Sequence, residues 1–198
     1  LDNDAIANLL GGYVYYKVEN EQFEIREATL TEVNDWYEDL RPTEPQIPVR
    51  DLSITEILPL DEINFDMSSS FGAKCSNVAT MRTFGLPSGT IPDGFGIPFY
   101  YYDEFMQFNN FYEEAQVMID NSVFQNDINF RIQRLKDFRR DIKDAPMPQW
   151  MLDDLQSMHD DFPEGTAVRC RSSTNNEDLP GFSGAGLYTS KTQYLDEG

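Results

Sequence analysis

The sequence predicts an α+β fold, and three observations carry that prediction. Two short β-type runs stand near the start, helical-period segments fill the middle, and a β-branched run near the end opens into a long polar loop. In the first of these, Gly12-Tyr13-Val14-Tyr15-Tyr16-Lys17-Val18 is β-branched and aromatic, and Gln22-Phe23-Glu24-Ile25-Arg26 alternates apolar and polar residues. Polar Glu19-Asn20-Glu21 between them predicts a hairpin, with Tyr13, Tyr15 and Tyr16 read as sheet packing rather than a ligand platform. Thr29-Leu30-Thr31-Glu32 fits a capping box, in which the Thr29 hydroxyl and the Glu32 carboxylate satisfy exposed amides. Leu30, Val33, Trp36, Tyr37 and Leu40 then follow at helical spacing. Pro42, Pro45 and Pro48 end that helix and predict a stiff connector.

Charge and texture change near residue 66. Residues 1–66 hold 16 acids and 4 bases, and residues 67–198 hold 19 acids and 11 bases. A small acidic α+β unit over 1–66, followed by a second domain over 67–198, is the expected organisation. In the second part a helix is expected to start near Ser68-Ser69-Ser70-Phe71-Gly72-Ala73-Lys74, with Val78 and Met81 on one face. The Gly- and Pro-dense stretch from Gly85 to Pro98 must be turns around a short extended piece. Helical stretches are predicted over about 102–119, 128–143 and 148–160. The middle one carries Arg131, Arg134, Lys136, Arg139, Arg140 and Lys143 against Asp127, Asp137 and Asp141, and a solvated helix face is preferred over a polyanion site. Thr166-Ala167-Val168-Arg169-Cys170-Arg171 reads as a strand, and extended structure is expected to resume at Gly186-Leu187-Tyr188-Thr189-Ser190.

The formal net charge is −20, and 40% of residues are hydrophobic. That is globular composition, and its acidity argues against nucleic-acid partners and anionic membrane surfaces. Mean hydropathy is −0.52, and no apolar run reaches the length of a membrane span. Cys75 and Cys170 are far apart and form no CxxC, so reduced thiols in a cytoplasm are expected. The first residue is Leu1, and the sequence stops directly after a strongly patterned segment; a piece of a longer chain is therefore expected.

The chain has no GxxxxGK[ST], HExxH or GxSxG. His159 is the single histidine, near Asp160 and Asp161 at a helix end, and is read as a surface residue. What remains is phosphate-handling chemistry. Gly72-Ala73-Lys74 places an ammonium just after a flexible glycine and at a helix start, where backbone amides favour anions. Arg169 and Arg171 are expected to share a strand face, and guanidinium groups bind phosphate through forked, charge-assisted hydrogen bonds. The alternative for both segments is ordinary: a solvent lysine, and a long turn in which Asn and Asp cap their own backbone while Glu177 pairs with an arginine. Cys75, beside Lys74, is either a redox-sensitive thiol or, preferred, a packed one.

Residues 69–190 resemble the ATP-binding region of the pyruvate phosphate dikinase and phosphoenolpyruvate synthase family, which includes rifampicin phosphotransferases. That family carries a glycine-X-lysine-X-X-asparagine-leucine segment, a "vPxGF" turn and a "vRSSatxEDlpxxSfAGqyxS" segment. Here Gly72-Ala73-Lys74-Cys75-Ser76-Asn77-Val78, then Ile91-Pro92-Asp93-Gly94-Phe95, then Arg171 to Ser190 stand in the same order. The resemblance implies the first subdomain of an ATP-grasp-like nucleotide-binding domain, preceded by a small α+β unit. By position, Lys74 and Arg171 resemble the nucleotide phosphate ligands. Ser172, Ser173, Glu177, Asp178, Ser183 and Gly186 resemble the loop lining the phosphate end of the cleft. The resemblance also implies ATP with Mg²⁺, a second ATP-grasp subdomain bearing the metal ligands, and a phosphohistidine domain. Both lie beyond residue 198, so the chain alone is expected to be inactive. Thr174, Asn175 and Asn176 replace smaller residues of the pattern, and Gly184 replaces a phenylalanine, which suggests a divergent branch. A degenerate, non-catalytic module that kept the fold is the other reading.

Overall fold

The computed structural model describes residues 3–40, 47–176, 178–179, 182–183 and 188–194. The chain divides into two compact units, Leu1–Gln46 with Leu179–Ser183, and Ile47–Asp178 with Gly184–Gly198. The class is α+β: among the described residues helices dominate, and the strands form four separate two-stranded pairs.

The first unit begins with α1 (Asn3–Ala7) and the hairpin of β1 (Val14–Glu19) and β2 (Gln22–Glu27), antiparallel with Glu19 opposite Gln22. Asn20 and Glu21 both take positive φ, 49° and 63°, so the connection is a two-residue turn of the twist hairpins favour. Helix α2 (Leu30–Leu40) starts at the expected capping box. The Thr29 amide donates to Glu32 Oε2 at 2.9 Å, and the Glu32 amide donates to Thr29 Oγ1 at 3.2 Å. Arg26 forks onto the same carboxylate at 2.9 and 2.7 Å, and its guanidinium lies 4.1 Å from the centre of the Tyr15 ring. Tyr15 is thus packed, whereas Tyr13 and Tyr16 are exposed. The connector prolines Pro42 and Pro45 lie outside the described residues.

The second unit includes residues 47–66, because they pack on residues 68–79. Asp51 accepts from the Ser70 hydroxyl at 3.0 Å, and its amide donates to the Ser69 carbonyl at 2.9 Å. Leu60 and Ile63 join Phe71 and Ala79 in a buried cluster, flanked by Ile54, Leu58, Met67 and Cys75. Strand β3 (Leu58–Pro59) precedes α3 (Ser68–Phe71) and α4 (Ala73–Met81), and pairs antiparallel with β4 (Phe95–Gly96). The buried residues of α4 are Ser76 and Ala79. Val78 and Met81 share a face as expected, but it is the exposed one. Small side chains are what α4 presents to the closely packed cluster.

The stretch predicted as one helix over 102–119 is two, α5 (Phe99–Phe108) and α6 (Phe111–Asp120). The break falls at Asn109-Asn110, where Asn110 adopts φ 57°, a left-handed conformation that Asn tolerates better than most residues. A short α7 (Ser122–Asn126), capped by the Asn121 side chain, leads to α8 (Ile128–Asp144) and α9 (Gln149–Asp160), both close to expectation. Phe111 packs edge-on to Phe138 at 5.7 Å, joining α6 to α8, and the Tyr101 hydroxyl donates to Asp154 at 2.6 Å, joining α5 to α9. Buried Asp103 on α5 takes a 2.8 Å ion pair from Arg50 and a 2.8 Å hydrogen bond from the Tyr112 hydroxyl. Strand β5 (Ala167–Cys170) pairs antiparallel with β8 (Lys191–Tyr194), while β6 (Asp178–Leu179) and β7 (Phe182–Ser183) form their own pair. Of the stretch expected to resume extended structure, Gly186 and Leu187 lie outside the described residues, residues 188–190 belong to no strand, and β8 begins at Lys191.

Candidate functional site

Helix α4 organises the site. Its N-cap is Gly72, which has no side chain to satisfy the amides of the first turn. The hydroxyl of Ser173, 98 residues further along the chain, accepts from the Cys75 amide at 2.9 Å and takes over that capping role. Gly72 is required twice. Its φ is 81°, which L side chains rarely adopt, and a Cβ there would stand 2.5 Å from the carbonyl carbon, carbonyl oxygen and Oγ of Ser173. Asn175 fastens the same loop a second time, its Nδ2 donating to the Ser68 carbonyl at 2.9 Å. The Asn176 amide bonds back to Thr174 Oγ1 at 3.1 Å, a local turn of the ordinary kind.

The far end of α4 holds the Gly/Pro turn. Arg82 donates to both Asp61 carboxylate oxygens at 2.6 and 2.9 Å, to Asp93 at 2.8 Å and to the Pro92 carbonyl at 2.8 Å. That guanidinium holds the Asp61 carboxyl below its usual range. The Leu60 amide donates to the Gly94 carbonyl at 2.9 Å, and a Cβ on Gly96 would stand 2.7 Å from Cys75 Sγ. The lysine segment, the Gly/Pro turn and the arginine segment therefore all attach to one short helix and its flanks.

Lys74 is the second residue of α4 and exposed; Arg171 comes directly after β5, is exposed, and has no hydrogen-bond or ion-pair partner among the described residues. Ser172 and Ser173 are half-buried in the loop that meets α4. Asp178 lies in β6 and Ser183 in β7, while Glu177 and Gly186 lie outside the described residues. Within β5, Arg169 donates to Thr192 Oγ1 across the strand pair at 2.7 Å. Cys75 packs against the buried cluster, as the preferred reading expects, and burial pushes its thiol up to about 11. His159 sits 3.7 Å from Asp160 on the last turn of α9. On α8, Arg131 closes the end of α7 through the Phe124 carbonyl, Arg134 pairs with Glu114, and Arg140 pairs with Asp137 and Asp141, so much of the basic face is internally engaged.

Sequence reasoning missed Arg82 and the clamp made by Asn175. The second had a visible signal, an amide where the family pattern has a small residue. Arg82 had none, because its acceptors are scattered over Asp61, Pro92 and Asp93.

A concavity of about 290 Å³ is lined by Thr55, Glu56, Tyr101 and Asp154 among others, and one of about 380 Å³ by Arg82 and the 86–93 turn; Lys74 and Arg171 line neither. Among the described residues no group of three or more His, Cys, Asp or Glu side chains is placed to hold a metal ion. Among them, too, no helix is long and apolar enough to cross a membrane. The family model for the pyruvate phosphate dikinase AMP/ATP-binding domain matches residues 68–195. No curated protein and no solved structure matches the chain.

Proposed function

The chain belongs to the pyruvate phosphate dikinase AMP/ATP-binding domain family, and from that premise we propose that it supplies one wall of the ATP site of a phosphotransferase. In this reading a phosphoryl group passes from ATP, by way of a phosphohistidine carrier, to pyruvate or another small acceptor. The second ATP-grasp subdomain, the carrier histidine and the ligands of the Mg²⁺ that accompanies ATP belong to the rest of a longer parent, so this chain alone does not turn over. The two free thiols support a reducing, cytoplasmic setting.

The observation that carries the reading is the Ser173–Cys75 bond, which joins the lysine segment to the arginine segment. Lys74 and Arg171 bind the phosphate tail, and the loop of Ser172, Ser173, Glu177, Asp178, Ser183 and Gly186 lines its end of the cleft. Such a site does little covalent work; it positions the phosphates and offsets their charge. An arginine that forks onto a phosphate contributes roughly 1.5–3 kcal/mol, so Arg171→Ala should weaken Mg·ATP binding about ten- to a hundredfold. Calorimetric titration of the full-length protein and its variant measures this, and equal affinities reject the role of Arg171.

A further inference from the structure

We infer that Ser173 is a positioning residue, whose hydroxyl locks the arginine-bearing loop onto the helix that carries the lysine. The inference deepens the proposed nucleotide-binding role and rests on it.

The first-turn amides of a helix have no acceptor within the helix, and a glycine N-cap offers none. In α4 the Cys75 amide is one of these orphans, and its acceptor is Ser173 Oγ at 2.9 Å. The contact is not a chance brush of two surfaces. The backbones of Gly72 and Ser173 approach so closely that no Cβ fits between them. Asn175 adds a second anchor on the first residue of α3, at 2.9 Å. Lys74 is the immediate neighbour of one anchored residue, and Arg171 stands two residues before another. Consecutive Cα atoms are about 3.8 Å apart, so the latch fixes the backbone within one residue of Lys74 and two of Arg171. Misplacement of binding groups by about 1 Å is enough to degrade a phosphoryl-transfer site. The serine hydroxyl keeps one donor hydrogen, so direct contact with a phosphate is the competing role that a test must separate.

Two measurements on the full-length protein decide it. Amide exchange resolved to single residues should show Cys75 protected in the wild type, and Ser173→Ala should abolish that protection while sparing the later turns of α4. A Cys75 amide that exchanges at the rate of an unstructured chain in the wild type overturns the latch. In Mg·ATP titrations, Ser173→Ala should weaken binding roughly fivefold, the equivalent of one helix cap. The same substitution made on top of Arg171→Ala should have an effect under about twofold, because a positioned group is then already missing. An undiminished loss in that background identifies a direct phosphate contact and overturns the inference, as does a Ser173→Ala protein with wild-type affinity. A wild-type protein that binds no Mg·ATP defeats the nucleotide reading, while the exchange data still decide whether the latch exists.

Discussion

Helices α2 and α4 meet the same physical problem, a first turn of unsatisfied amides, and meet it from opposite distances. In the first unit the acceptors are three residues away, as Thr29 and Glu32 cap each other. In the second the acceptor is 98 residues away. The local solution makes a helix that begins where its own sequence says. The distant one ties the first turn of α4 to the arrival of the loop, which is useful where two segments must be held together. The surroundings differ in the same sense. No residue of the hairpin or of α2 is buried, whereas α4 belongs to a cluster in which Phe71 and Ala79 are each 1% exposed. A two-stranded hairpin is marginal without a hydrophobic face to pack on, and it is the second unit that holds the buried cluster.

The sharpest way to break the contrast is Gly72→Ala. It combines a strained φ of 81° with a Cβ 2.5 Å from the Ser173 backbone, and should cost about 3 kcal/mol of stability. Urea unfolding followed by circular dichroism measures it, and a loss below about 1 kcal/mol would mean that the two backbones leave room for a methyl group. Thr29→Ala removes the local cap instead and should cost about 1 kcal/mol. Its effect should be confined to faster amide exchange at the start of α2, with Mg·ATP affinity untouched; a change in affinity would contradict the independence of the two caps.

Alkylation sharpens the contrast inside the second unit. With its thiol at about 11, Cys75 is about one part in a thousand thiolate at pH 8. Exposed Cys170 should therefore be labelled first, with ATP making no difference to the order. Equal rates at the two cysteines would count against the burial of Cys75. The smallest effect is on pH. Arg26 and the Thr29 cap hold the Glu32 carboxyl down to about 2. A depressed carboxyl contributes stability that is present above its ordinary value near 4.5 and is lost as pH falls toward about 2. The start of α2 should thus keep its exchange protection at pH 4, and protection vanishing there would show the carboxylate to be unpaired.

The same contrast explains what could be read in advance. The capping box, the hairpin and helices α8 and α9 were legible because the partners that define them lie within a few residues. The break at Asn109-Asn110 was not, since apolar residues continue at helical spacing on both sides of it. The inward turn of Ser76 in place of Val78 was hidden because packing at α4 selects for small size rather than for hydrophobicity. At the site, the types of residue were visible and their meeting was not: nothing near Gly72 announces Ser173, and nothing near Arg82 announces Asp61 and Asp93. The resemblance named the segments, but only coordinates joined them.

That junction is most directly tested by nuclear Overhauser contacts in the labelled chain. Cross-peaks from the Gly72 α-protons and the Cys75 amide to the β-protons of Ser173 are predicted. Well-resolved signals for all three residues with no cross-peak among them would contradict the account.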